Sequence, residues 1–136
     1  MNVQHVPVEF IHRVWPDVKD FLAAALTKHG EVDGYSLDSI QTLLANGAWM
    51  LIVVSEEDKV VGAMTVEFMN RPSQRVAFVT CMGGRDLANP DVFEKSKHVF
   101  KMFGATHTEG AVSESAARLF EKIGLKEKYR IVGAAL

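Results

Sequence analysis

Two apolar segments with a helix-forming segment between them constrain this fold more than any other feature of the sequence. The apolar segments are residues 75–82 and 105–112, and residues 89–103 between them have a proline near their start, as helices often do. A crossover of this length returns the chain to the same edge of a sheet, so the two strands must be parallel. The sequence therefore predicts a β-α-β crossover, followed by a further helix over residues 113–123.

An antiparallel meander is predicted to precede this crossover. Residues 48–54 and 60–68 are rich in β-branched and aromatic side chains and flank a polar turn, and a second polar turn at residues 70–74 leads into the first crossover strand. Strand-turn-strand patterns of this kind are typical of hairpins. We therefore predict an α/β (α+β) fold in which a mixed sheet has helices on both faces, formed by residues 1–136 as a single domain.

The N-terminal part is predicted to contribute one edge strand and two helices. Residues 3–11 resemble a strand interrupted by Pro7, and proline in a sheet is largely confined to edge strands. Apolar residues at helical spacing predict a first helix with Pro16 in its first turn and Gly30 at its end. A second amphipathic helix is predicted over residues 36–46.

The last residues of the sequence, 131–136, are apolar and predict a strand. An uncovered strand edge pairs readily with another chain, so we expect a homodimer, or a larger assembly such as a virion, to form through this C-terminal strand. The alternative is that the N-terminal segment, residues 3–8, covers it.

Composition limits the partners and the compartment. The net charge is −2, so there is no basic field to attract nucleic acid. Cys81 is the only cysteine, which excludes an internal disulfide and a cysteine-rich zinc site, and the histidines show no metal-ligand spacing. No apolar run is long enough to cross a bilayer, and the N-terminus lacks the features of a secretion signal. We therefore expect a cytoplasmic protein without a membrane partner.

A pair of glycines follows the first crossover strand, in the sequence Met82-Gly83-Gly84-Arg85. Where a strand leads into a helix through a glycine loop, free backbone N–H groups and the positive end of the helix dipole face the same place. This segment is therefore a candidate site for an anion or a carbonyl oxygen, with Arg85 supplying a charge-assisted hydrogen bond. A tight turn without a ligand explains the two glycines equally well.

Two parts of the sequence resemble the GCN5-related N-acetyltransferases (GNATs). Residues 49–67 are similar to the central hairpin of that family, and residues 113–127, which begin Ser-Glu-Ser-Ala-Ala-Arg-Leu-Phe, are similar to its last conserved helix. Three residues of that helix match the family pattern outright: Ala116, Leu119 and Gly124. The order of elements is also similar over the whole chain. The resemblance implies a GNAT-like fold and transfer of an acetyl group from acetyl-CoA to an amine.

The resemblance also implies where acetyl-CoA binds. The two crossover strands would separate, the pantetheine arm would pair with the first strand, and the pyrophosphate would lie on the amides that open the next helix. The implied cofactor-binding residues are Val79, Thr80, Cys81, Met82, Gly83, Gly84, Arg85 and Ser113. The phosphate loop is longer here than in the family and contains Asp86, and Phe120 replaces the tyrosine that often protonates the CoA thiolate.

The glycine pair, the short C-terminus and the altered phosphate loop look most like the acetyltransferase-like proteins of tailed bacteriophages, some of which are virion components. This second resemblance implies a non-catalytic protein that keeps the fold and has lost the cofactor. Two classes of function therefore stay open. One is an acetyltransferase for a small-molecule or peptide amine, and the other is a non-enzymatic phage or interaction protein.

Three residues are candidates for the acid-base chemistry of acetyl transfer, which needs a base for the ammonium proton, donors for the oxyanion and an acid for the thiolate. Glu67 closes an apolar strand, where partial burial raises a carboxylate pKa, so it is our candidate base unless it lies in water at the strand end. His107 is an alternative base, or a solvated or core histidine. Tyr129 is a candidate acid, or a cap on the edge of the core.

Overall fold

A computed structural model describes residues 1–29 and 34–136 of the chain. The strands are β1 (Asn2–Val6), β2 (Met50–Glu56), β3 (Lys59–Arg71), β4 (Gln74–Gly84) and β5 (His107–Gly110), and the helices are α1 (Ile11–His29), α2 (Leu37–Ala45), α3 (Pro90–Met102) and α4 (Glu114–Glu121). The strands form one sheet in the order β1-β2-β3-β4-β5. Neighbouring strands are antiparallel except β4 and β5, which are parallel.

Helices cover both faces of the sheet because the strands direct apolar side chains to both faces in alternation. In β2, Leu51 packs with α1 and α2, whereas its neighbour Ile52 packs with α3. The first core contains the buried residues Ile11, Val18, Leu22, Ile40, Leu44, Trp49, Leu51, Ala63 and Cys81. The second core contains Ile52, Val54, Met64, Val66, Ala77, Leu87, Val92 and Phe100. This arrangement confirms the predicted mixed sheet with helices on both faces.

In the N-terminal part, the edge strand and both ends of α2 form close to where the sequence predicts them. The segment before Pro7 is β1, an edge strand that pairs with β2. At the start of α2, the Ser36 hydroxyl oxygen accepts a hydrogen bond from the Ser39 N–H at 3.1 Å, and the Ser39 hydroxyl oxygen accepts one from the Ser36 N–H at 2.8 Å. Gly47, with a φ of +79°, follows α2 where the sequence predicted its end.

The first helix begins earlier than predicted. Its first residue is Ile11, and Pro16 lies inside the helix instead of in its first turn. A short 3-10 turn, Val8–Phe10, leads straight into α1, and Ile11 is fully buried, so packing fixes the start of the helix before the proline. Gly30, which we predicted to end this helix, lies outside the described residues. Among the helices that the structure describes, none is both long and apolar enough to cross a membrane.

The prediction of a C-terminal strand is wrong. In the described part of the chain α4 is the last regular element, and Ile131 and Val132 are 74% and 93% exposed. A strand needs hydrogen-bonding partners along its length, and β5, the strand at this edge, is only four residues long. The N-terminal segment pairs with β2, so it does not cover this end of the chain either. Assembly through residues 131–136 stays a prediction.

Candidate functional site

Strands β4 and β5 separate before β4 ends. Their parallel pairing extends from Val76 with His107 to Val79 with Gly110, whereas β4 continues to Gly84. Within the described residues, β4 therefore continues for five residues beyond Val79 without pairing to β5. We call this opening, bounded by Val79, Gly110 and the last five residues of β4, the fork. An extended ligand can pair with a strand at such a place.

A β-bulge lies at the base of the fork. The register between β3 and β4 places Thr65 opposite Cys81 and Val66 opposite Val79, so Thr80 is an extra residue in β4. The Thr80 hydroxyl donates to the Thr65 carbonyl oxygen at 3.1 Å, and the hydroxyl oxygens of the two threonines are 2.8 Å apart. These hydrogen bonds fix the bulge against β3, directly beside the fork.

The glycine pair belongs to β4 and packs against two other elements. A Cβ on Gly83 would lie 2.0 Å from the carbonyl oxygen of Phe21 in α1. A Cβ on Gly84 would lie 2.5 Å from the Cα of Gly62 in β3, and Gly84 has a φ of +136°. Both positions therefore need glycine for backbone packing alone. The pair ends a strand, where the sequence suggested a loop, and the ligand-free explanation accounts for it.

Some polar groups of the segment between β4 and α3 are bonded within the protein. The N–H of Arg85 donates to the carbonyl oxygen of Val61 at 3.3 Å, and the Arg85 side chain is exposed. The Asn89 side chain accepts a hydrogen bond from the N–H of Val92 at 2.9 Å and so caps α3, whose first residue is Pro90. The predicted anion site therefore has fewer free donors than the sequence suggested.

One row of side chains crosses the sheet beside the fork. Glu67 in β3 pairs with Phe78 in β4, and Phe78 pairs with Glu109 in β5, so the three side chains project from the same face. This is the face that α1 and α2 cover, because Thr65, two residues before Glu67, pairs with Leu51 of the first core. Two inter-strand spacings, about 10 Å, separate the backbones that carry the two glutamates.

Glu109 is 8% exposed and holds three side chains around its carboxylate. The Arg71 guanidinium donates to both carboxylate oxygens, at 2.7 and 3.1 Å. The Lys128 ammonium donates to Oε2 at 2.9 Å, and the Tyr129 hydroxyl donates to Oε1 at 2.9 Å. We call these four residues the Glu109 cluster. It attaches the C-terminal segment to the sheet next to the fork.

The lowered pKa of Glu109 makes this residue unsuitable as a general base. Hydrogen bonds, above all those from Arg71, lower the pKa of Glu109 to about 2, although burial acts in the opposite direction. The hydrogen bonds that Arg71 itself donates to Glu109 raise the pKa of Arg71. A carboxylate with so low a pKa stays ionised at neutral pH and is a weak proton acceptor. Glu109 can therefore orient Tyr129 and Lys128, and Glu67 is the other carboxylate of the row.

The predicted catalytic residues lie at different distances from the fork. Tyr129 joins the row of side chains through Glu109, although it is 53% exposed and outside any strand. His107 begins β5, two residues further from the fork than Glu109, and its side chain is exposed. Its Nδ1 lies 2.8 Å from the hydroxyl oxygen of Thr106. The structure thus connects Glu67 and Tyr129 to one row and places His107 outside it, two residues from Glu109 along β5.

The predicted cofactor-binding residues also divide into two groups. Val79 and Thr80 lie at the base of the fork, as described above. Cys81 faces the first core, with its Sγ 3.8 Å from the carbonyl oxygen of Leu22, and Met82 packs against the second core. Ser113 caps α4, since its hydroxyl oxygen accepts from the N–H of Ala116 at 3.3 Å. The side chains of this second group serve the fold, and only their backbone groups are available for a ligand.

Sequence reasoning missed Arg71, Glu109 and Lys128. Glu109 carried a usable signal, because a carboxylate in the interior of a strand rarely stays buried without a cationic partner. Arg71, at the end of β3, lies in the polar stretch of residues 70–74, which predicts only a turn. Lys128 lies in a segment without regular structure, so no periodicity marked it.

Comparison with solved structures identifies the fold. An aminoglycoside acetyltransferase from an uncultured soil metagenomic sample, solved with sisomicin, matches with a TM-score of 0.71 and 10% identity, over 99% of this chain and 94% of that chain. A GCN5-related N-acetyltransferase from Ralstonia eutropha matches with a TM-score of 0.65 and 11% identity, over 98% and 97% of the chains. The chain has the GNAT fold. A protein described as a predicted acetyltransferase from Clostridium acetobutylicum, solved with acetyl-CoA, shares the GNAT fold, with a TM-score of 0.60 and 11% identity over 98% and 95%.

No protein-family model and no curated protein matches the sequence. At sequence identities this low, the solved structures show that the fold is shared. The chemistry depends on the residues of the site itself. The fork fits the pantetheine arm of the acetyl-CoA that the GNAT fold implies, since β4 extends beyond Val79 without pairing to β5. At the start of α3, Pro90 has no N–H and the N–H of Val92 is bonded to the Asn89 side chain, so neither residue offers a backbone donor to a pyrophosphate. The closer resemblance to phage proteins stays a prediction.

Proposed function

We propose that this chain transfers an acetyl group from acetyl-CoA to an amine of a small molecule or a peptide. The observation that carries the proposal is the fork, where β4 extends beyond its last pair with β5 and the pantetheine arm would pair with β4 next to Val79. The GNAT-fold protein from Clostridium acetobutylicum, solved with acetyl-CoA, supports this donor. The row formed by Glu67, Phe78 and Glu109 lies beside the same opening and supplies polar groups for the chemistry.

Residues around the fork would supply the three functions that acetyl transfer needs, which are a base, an oxyanion donor and an acid. Glu67 would accept the proton of the acceptor ammonium, so that the free amine can attack the thioester carbon. A backbone N–H of β4 next to Val79 would donate to the oxyanion. As the new C–N bond forms, the nitrogen would lose its second proton to water. The C–S bond then breaks, and Tyr129, whose hydroxyl donates to Glu109 at 2.9 Å and would turn toward the sulfur, would protonate the thiolate. Phe120, at the usual position of the acid, has no proton to give.

Acetyl-CoA is expected to raise the melting temperature of the protein. A ligand that binds only the folded state stabilises it by about 1.4 kcal/mol at ten times its Kd. For a chain of 136 residues this corresponds to a shift of roughly 5 °C. A thermal-shift titration to millimolar acetyl-CoA measures the effect, and a melting temperature that stays constant throughout the titration would contradict the proposal.

Gly110→Leu is expected to weaken acetyl-CoA binding by at least about ten-fold. A Cβ on Gly110 would lie 3.5 Å from the Val79 carbonyl oxygen, an ordinary contact, so the fold accepts a side chain that then extends beside the fork. Gly133→Leu is the matched control, because a Cβ there meets nothing within 4 Å. If the folded Gly110→Leu protein binds as the control does, the ligand lies elsewhere.

Glu67→Gln is expected to slow acetyl transfer by about 100-fold while leaving the acetyl-CoA-induced melting shift unchanged, because the amide cannot accept the ammonium proton. The assay follows release of the CoA thiol in the presence of primary amines such as spermidine and lysine amide. Glu56→Gln, at the exposed end of β2, is the control. A Glu67→Gln rate equal to that of the control would exclude Glu67 as the base.

A second candidate function is a non-catalytic protein that keeps the GNAT fold without the cofactor, as an interaction or virion component. Two observations favour it. Phe120 lacks the proton of the usual acid, and the N–H groups of Arg85 and Val92, on either side of the α3 start, are already bonded within the protein. The thermal-shift titration separates the candidates, because a protein without a donor site does not respond to acetyl-CoA.

A further inference from the structure

We propose that the amine acceptor also carries a carboxylate, which an aliphatic chain separates from the amine, as in an ω-amino acid. The inference rests on the proposed function and deepens it, because it names the class of acceptor. It follows from the order of groups along the row beside the fork. A carboxylate, an apolar ring and a cluster with excess positive charge follow one another across three neighbouring strands.

Glu67 is the negative end of the row and the carboxylate that would accept the ammonium proton. Its side chain is half-buried, and within the described residues it has no ion pair and no side-chain hydrogen bond. A half-buried carboxylate without a cationic partner attracts one, because pairing offsets part of the cost of its removal from water. The ammonium group of a primary amine is such a cation.

Phe78 lies in the middle of the row and offers an apolar surface. It pairs with Glu67 on one side and with Glu109 on the other. Its ring is half-buried, and among the residues that the structure describes it belongs to neither core. An aliphatic chain that crosses this ring would remove apolar surface from water. The backbones that carry the two glutamates are about 10 Å apart, so the acceptor needs several carbon atoms between its charged groups.

The Glu109 cluster is the positive end of the row. The Arg71 guanidinium and the Lys128 ammonium both donate to Oε2 of Glu109, at 2.7 and 2.9 Å, so two cations converge on one carboxylate oxygen. Tyr129, which donates to Oε1, is neutral. One carboxylate cannot balance two cations, and a second carboxylate beside them would offset their mutual repulsion.

Donors remain in the cluster for a second carboxylate. The Lys128 ammonium has three N–H donors, and its bond to Glu109 uses one of them. The side chains of Lys128 and Arg71 are partly exposed, whereas that of Glu109 is buried. Charge-assisted hydrogen bonds to a carboxylate are stronger than neutral ones. The row therefore matches an acceptor that presents an ammonium group, an aliphatic chain and a carboxylate in that order.

The acceptors ε-aminocaproate and ε-aminocaproamide test the proposal as a matched pair. They share the amine and the aliphatic chain, and only the first has a carboxylate. We expect kcat/KM, measured by release of the CoA thiol, to be at least about ten-fold higher for the acid, as one charge-assisted hydrogen bond would make it. Equal values, or a preference for the amide, would overturn the inference.

Lys128→Met tests whether the cluster recognises the carboxylate. The bonds from Arg71 to Glu109 do not involve Lys128, so the variant is expected to fold. We expect its kcat/KM values for the acid and the amide to agree within about three-fold. Lys126→Met is the matched control, because Lys126 is an exposed lysine of the same segment outside the cluster, and it should keep the wild-type preference. A Lys128→Met protein that keeps this preference would also overturn the inference.

The inference and the proposed function fail in different ways. If amines are acetylated but the acid has no advantage over the amide, the proposed function stands and the present inference is wrong. If neither this pair nor spermidine and lysine amide are acetylated, the proposed function is wrong, and the inference fails with it.

Discussion

Gly83→Ala is expected to destabilise the protein by about 3 kcal/mol or more, because the added Cβ would lie 2.0 Å from the carbonyl oxygen of Phe21 and 2.7 Å from its carbonyl carbon. Both atoms belong to the backbone of α1 and cannot rotate away, so α1 and β4 must move apart. Such a change removes a large part of the roughly 5–15 kcal/mol that stabilises a typical domain. Urea unfolding monitored by circular dichroism measures it as a lower midpoint.

Gly133→Ala is the control for that experiment, because a Cβ at Gly133 meets nothing within 4 Å. We expect the control to change the free energy of unfolding by less than about 0.5 kcal/mol. A Gly83→Ala protein as stable as the control would contradict the packing of α1 on β4. The result also bears on function, since lost ligand binding in a Gly83 or Gly84 variant would report a disturbed fold. For this reason Gly110 is the better probe of the fork.

Acidification from pH 5 to pH 2 is expected to destabilise the wild-type protein by about 2 kcal/mol more than it destabilises Glu109→Gln. The pKa of Glu109 is lowered from 4.5 to about 2, so the stabilisation is fully present above the unfolded-state pKa and is lost as the pH falls through the folded-state pKa. The full shift corresponds to about 3 kcal/mol, and partial exposure of Arg71 and Lys128 reduces it. Urea unfolding at a series of pH values gives both curves.

Glu127→Gln provides the matched control for the pH experiment. Glu127 lies in the same C-terminal segment and pairs with Arg130 at 3.1 Å, but both side chains are more than half exposed. We expect its pH dependence to follow that of the wild type, since exposed ion pairs contribute little. If Glu109→Gln also followed the wild type, the Glu109 cluster would not hold the tail in solution.

The features that sequence reasoning predicted well are those that a short stretch of chain determines. β2 is an apolar run whose neighbouring residues Leu51 and Ile52 pack into helical layers on opposite faces of the sheet. Ser36 marks the start of α2, because its hydroxyl oxygen accepts a hydrogen bond from the N–H three residues later. Residues 131–136 show the limit of this reasoning. Their apolar composition favours a strand, but a strand forms only beside a partner, and the sequence does not specify one.

The candidate site was predicted only in part, because it depends on contacts between distant segments. Arg71 and Glu109 are 38 residues apart and meet only when β3 and β5 flank β4. The resemblance to GNATs predicted the separation of the crossover strands, and the structure contains it. The same resemblance counted Gly83 and Gly84 among the cofactor-binding residues, and in the structure both glycines lie too close to the backbones of α1 and β3 for a Cβ. No local pattern could distinguish a glycine that serves a ligand from one that serves packing.

After β5, the hydrogen bonds that Lys128 and Tyr129 donate to Glu109 attach the C-terminal segment to the sheet. Since α4 contains no buried residue, its detachment exposes little apolar surface. Amide hydrogens of β5 and α4 should therefore exchange with solvent through a local opening, while those of β2 and β3 exchange only on global unfolding. Under the proposed function, this local opening would lie beside the fork that receives the donor.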